Sequence, residues 1–112
     1  MSEIITNWTK EEFKAYLLLY AAQSDMVETS EEKTTILSMV PQETYERIHK
    51  EIDMDNDYQS IQKIIYNLEK YQYDKDGLAM LISDIRSVFM ADGHMDIMEK
   101  NMMRVLSKLM SE

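Results

Sequence analysis

The chain has 112 residues, no Cys, two Gly and one Pro, and its 12 Lys and Arg against 21 Asp and Glu give a net charge of −9. This length suits one domain with a real core. The missing Cys excludes disulfide frameworks, thiolate zinc sites and Cys nucleophiles, and the acidic balance argues against nucleic acid and anionic membrane surfaces as partners.

Helical spacing recurs in six segments. The first opens on a capping box, Thr9 with Glu12, flanked by Trp8 and Phe13 at staple positions. It runs from Glu11 to about Ser24 and is apolar on every side over 15–22, the pattern of a central buried helix. That run is the longest apolar one and falls far short of the ~18–20 residues that span a bilayer. Met1-Ser2-Glu3-Ile4-Ile5 has neither the basic nor the apolar region of a signal peptide. The expectation is a soluble, cytoplasmic protein with no membrane insertion.

A second helix starts at Thr29 or Ser30, with Glu32 three residues beyond Thr29, and buries Ile36, Leu37 and Val40. Pro41 ends it and suits the first turn of a third, striped by Tyr45, Ile48 and Ile52. Asp53-Met54-Asp55-Asn56-Asp57 reads as a solvated break. It fails as an EF-hand loop, since Tyr58 stands where Gly is needed and Ile64 where the bidentate Glu is needed. A fourth helix carries Tyr58, Ile61, Ile65 and Leu68, and 72–77 reads as a turn. A fifth presents Leu78, Leu81, Ile82, Ile85, Val88 and Phe89, closed by Asp92-Gly93. The sixth has Asp96 as cap, Glu99 at its third position, and Met98, Met102, Val105, Leu106 and Leu109 inward. The fold class is all-α, one compact domain over 1–112.

The segments about 11–40 and 78–110 echo each other. Asp25 and Glu32 are seven residues apart, as are Asp92 and Glu99, and the pairs are offset by 67. At that offset Lys33 falls on Lys100, Leu18 on Ile85, Ala22 on Phe89, Ile36 on Met103 and Met39 on Leu106. A helix–turn–helix unit used twice would give this pattern. Its acids have two chemical readings. Carboxylates aimed at one point from a sharp turn suit a hard cation, Ca²⁺ or Mg²⁺, with Asp25, Glu32, Asp92, Asp96 and Glu99 as candidate ligands. Equally, Asp92, Asp96 and Glu99 can serve as helix caps, or the acids can form a patch for a basic partner.

Among other chemistry-bearing residues, His94 lies in the second of these turns, and His49 falls on the polar side of the third helix. Met95, Met98, Met102, Met103 and Met110 cluster late in the chain, as core filler or as an adaptable binding surface. No metalloprotease, nucleophile-elbow or phosphate-loop motif occurs, and the expectation is that the protein is not an enzyme.

The stretch Phe89-Met90-Ala91-Asp92-Gly93-His94-Met95-Asp96-Ile97-Met98-Glu99 resembles the hallmark of the TerB-like family, the tellurite-resistance helical domains. That hallmark is an apolar helix, then Ala-Asp-Gly, a short turn, and Glu early in the next helix. Ala21-Ala22-Gln23-Ser24-Asp25 through Glu32 resembles a second copy, with Met26 and Ser24 departing from the pattern; 41–75 resembles nothing familiar. The resemblance implies an all-α fold of such repeats, divalent-cation binding at Asp25, Glu32, Asp92 and Glu99, and a stress-response or signalling association without catalysis. The combined expectation is a small acidic binding module that takes a divalent cation, or else a protein-interaction adaptor whose turn acids only cap helices. Its protein partner would offer a basic or apolar surface.

Overall fold

A computed structural model describes residues 5–23 and 29–91, together with Arg104 and Lys108. Among these residues the chain forms five α-helices and no strand: α1 (Lys10–Ala22), α2 (Ser30–Leu37), α3 (Gln42–Met54), α4 (Asp57–Tyr71) and α5 (Lys75–Phe89). Arg104 and Lys108 are themselves helical. The sixth helix expected from the sequence, with its Met cluster, otherwise falls outside the described residues. The radius of gyration is 13.1 Å, matching the roughly 13 Å expected of a compact domain of this length.

The local starts are as the sequence dictates. Thr9 and Thr29 close capping boxes with Glu12 and Glu32, Asn56 closes one with Gln59, and Asp74 accepts from the Gly77 amide. Pro41 is the N-cap of α3; its fixed φ suits that place, and its missing N–H costs nothing there. α4 ends with Gln72 in the left-handed region at φ 46°. The chain therefore turns in three residues, 72–74, and Gly77, expected in the turn, instead sits in the first turn of α5.

α1 is the axle and touches each of the other four helices. Phe13 and every residue from Ala15 to Ala22 are buried. Ile36, Val40, Tyr45, Ile48, Ile52, Ile64, Leu81, Ile85, Val88 and Phe89 close around it. The buried face of α4 differs from expectation. Tyr58 is 51% exposed, while Ser60, Ile64 and Asn67 are buried and Ile61 and Leu68 only flank the core. The helix has rotated to bring two polar side chains inward, where long-range partners meet them.

Candidate functional site

Of the five proposed cation ligands, Glu32 alone lies among the described residues; Asp25, Asp92, Asp96 and Glu99, with His94, fall outside them. Glu32 occupies the third position of α2. Its Oε1 accepts from the Thr29 amide at 2.8 Å, and its own amide donates to Thr29 Oγ1 at 3.1 Å. The carboxylate is thus held by the helix start, and the residue is 1% exposed. Among the described residues no group of three or more His, Asp or Glu could hold a metal ion.

A polar cluster that the sequence reading missed lies under the N-terminal segment, between α1, α3 and α4. Lys63 Nζ is 2.9 Å from Glu51 Oε2 and 2.8 Å from Asp55 Oδ2. The Tyr16 hydroxyl donates to the same Asp55 oxygen at 2.6 Å and shares a 2.9 Å hydrogen bond with Ser60 Oγ. Trp8 Nε1 donates to Glu51 Oε1 at 3.3 Å, and its ring stacks obliquely on Tyr16 with centroids 4.5 Å apart. One turn further along α1, the Tyr20 hydroxyl donates to Asp57 Oδ1 at 2.8 Å. The stretch 53–57 is solvated as expected at Asp53, Met54, Asn56 and Asp57, while the Asp55 side chain, 9% exposed, turns in to anchor the cluster.

The electrostatics follow from burial. Burial lifts the Tyr16 and Tyr20 phenols far above their ordinary range, and the carboxylates of Asp55 and Asp57 add to the lift. For Lys63, burial acts to lower the pKa, but the hydrogen bonds and charges of Asp55 and Glu51 outweigh it and hold the ammonium above its usual value. The cluster is a clamp of one cation, two carboxylates and a neutral phenol. Tyr16 and Tyr20 were the signal that could have revealed it, because a tyrosine on an all-round buried helix needs a partner for its hydroxyl.

Two neighbours extend the clamp. Asn67 donates to Thr6 Oγ1 at 2.9 Å and to the Lys63 carbonyl at 2.8 Å, which fastens the N-terminal segment to α4; its Oδ1 is buried without a hydrogen-bond partner among the described residues. Arg47 reaches across from α3 to Glu12, whose carboxyl sits below its ordinary pKa mainly through the Thr9 backbone hydrogen bond, with Arg47 adding to it.

On the other side of α3, a groove of about 420 Å³ opens between α2 and α3. Leu37, Tyr45 and His49 form its floor, and Lys33, Lys50 and Glu46 its rim. His49 is half-buried rather than on the polar face: its ring stacks on Tyr45 at an interplanar angle of 14°, and its Nδ1 is 3.0 Å from Asp53 Oδ2. Lys33 Nζ lies 5.9 Å from the Tyr45 ring centre. The volume falls in the range of small binding clefts. Among the described residues no helix is long and apolar enough to cross a membrane.

No protein-family model, curated protein or solved structure matches this chain.

Proposed function

We propose that the chain is a small helical binding module of TerB-like type, without catalytic activity, and that it serves as a protein-interaction adaptor in the cytoplasm. The observation that carries this reading is the α2–α3 groove, a cleft with an aromatic and aliphatic floor and a charged rim. The clamp's chemistry supports the same reading. Lys63 is tied to Glu51 and Asp55, and the Tyr16 hydroxyl to Asp55 and Ser60, so these side chains are engaged within the fold. The TerB-like likeness gains support from helix ends: α1 stops at Ala22 and α5 at Phe89, 67 residues on, both with buried final residues, and Leu18 and Ile85 are buried partners at the same offset. A stress-response or signalling role rests on that likeness alone.

A second reading, a Ca²⁺ or Mg²⁺ site formed by Asp25, Glu32, Asp92, Asp96 and Glu99, is favoured by the burial of Glu32. A carboxylate at 1% exposure beside an inter-helix turn is where a cation's charge would be most stabilising. Thermal melts in Ca²⁺ and Mg²⁺ separate the two. The adaptor reading expects an unchanged melting temperature up to millimolar cation. A rise in the wild type that Asp92→Asn with Glu99→Gln abolishes would transfer the function to the cation site, by mass action on the folded state.

A further inference from the structure

The whole chain carries −9, and three of its described cations sit in ion pairs. Lys14 pairs with Asp84, Arg47 with Glu12, and Lys63 with Glu51 and Asp55. Lys33 and Lys50 are in none of these pairs. Both are exposed, and among the described residues neither has a carboxylate within 4.0 Å. They come from different helices yet rim the same groove. Lys33, which also lies over the Tyr45 ring, and Lys50 together outnumber the single rim carboxylate of Glu46.

We propose that this groove docks an acidic peptide segment, with an apolar side chain on Leu37 and flanking carboxylates on Lys33 and Lys50. The inference rests on the adaptor reading above and names the chemistry of its partner. Charge complementarity selects the sign. At physiological salt the screening length is about 8 Å, and the molecule measures 39 × 28 × 24 Å, so a ligand seated in the groove feels the rim charges, Lys33 and Lys50 against Glu46, more than the acids on the far flanks. Glu46 selects a peptide over a bare anion. A rim carboxylate accepts hydrogen bonds, and a peptide backbone offers it an N–H that a bare phosphate or a nucleic-acid backbone does not. The aromatic and aliphatic floor adds the non-polar contact that gives a short acidic motif its register.

The test is amide shift mapping on the full ¹⁵N-labelled chain at about 0.15 M salt, with three probes: acetyl-EDEFEDE-amide, its charge-reversed counterpart acetyl-KRKFKRK-amide, and an oligothymidylate. The acidic peptide is expected to move the amides of Leu37, Tyr45 and Lys50. Lys33→Glu with Lys50→Glu should weaken it by about tenfold or more, as should the milder Lys33→Gln with Lys50→Gln, with circular dichroism unchanged in both. Acidic-peptide binding that maps elsewhere, or that survives both variants, overturns the proposal. So does an oligothymidylate that competes equally for the groove. Binding of the basic peptide alone overturns the acidic partner but leaves the adaptor standing. Silence from all three probes overturns both.

Discussion

At the scale of single residues, the clamp around Lys63 sets the largest energies. Lys63 and Asp55 have side-chain exposures of only 14% and 9%, so their pairing is poorly screened by water. Removing one partner of such a pair strands the other charge. Lys63→Met is therefore expected to cost about 3 kcal/mol or more by urea denaturation, whereas Tyr16→Phe, which removes a neutral hydroxyl, should cost about 1–2 kcal/mol. The reverse order would mean that Lys63 is not the hub. The buried phenols also fix the alkaline limb of stability. Tyr16 and Tyr20 titrate higher in the folded chain than in the unfolded one, where phenols ionise near pH ~10. Their stabilisation is intact below that value and is lost as pH rises above it. Lys63, also raised, acts in the same direction. Melts between pH 8 and 11 should show stability falling near the upper end, with a shallower fall in the Tyr16→Phe, Tyr20→Phe chain; equal slopes would refute the assignment.

At the scale of helices, the starts were legible because caps are local. Thr9-x-x-Glu12 and Thr29-x-x-Glu32 each carry their whole hydrogen-bond scheme within four residues, and both boxes form. Thr29→Ala is expected to lower stability by about 1 kcal/mol, and the same change at Thr9 to cost a similar amount, both read as shifts in denaturation midpoint. A much larger loss at Thr29 alone would mean that Glu32 has work beyond its cap. The face of α4 was less legible. Apolar periodicity picked out Tyr58, Ile61, Ile65 and Leu68, but Ser60 and Asn67 turn inward because Tyr16 and Thr6, more than forty residues away in sequence, hydrogen-bond to them. A local pattern cannot register a polar side chain whose partner lies on another helix. For the same reason the pattern did not show that within the solvated break 53–57 Asp55 and Asp57 accept from two core tyrosines. The groove escaped for a related reason: Lys33 and Lys50 are seventeen positions apart and share a rim only because α2 and α3 fold against each other.

At the scale of the whole molecule, the all-helical architecture was legible from two glycines, one proline and the apolar stretch at 15–22. That stretch forms a helix buried on every side, covered by α2, α3, α4 and α5 together. The order of synthesis makes this arrangement hazardous. The most water-averse helix leaves the ribosome ahead of its covers, and α5, which supplies Ile85, Val88 and Phe89, follows more than fifty residues later. A chain halted after Asp74 should bind anilinonaphthalenesulfonate strongly and sediment on centrifugation, while the full-length protein does neither; a soluble, dye-silent fragment would show that α5 is dispensable as a cover. Until α5 arrives, the nascent polypeptide offers chaperones a greasy rod with no home, so production in the cell is expected to depend on how quickly translation reaches the fifth helix.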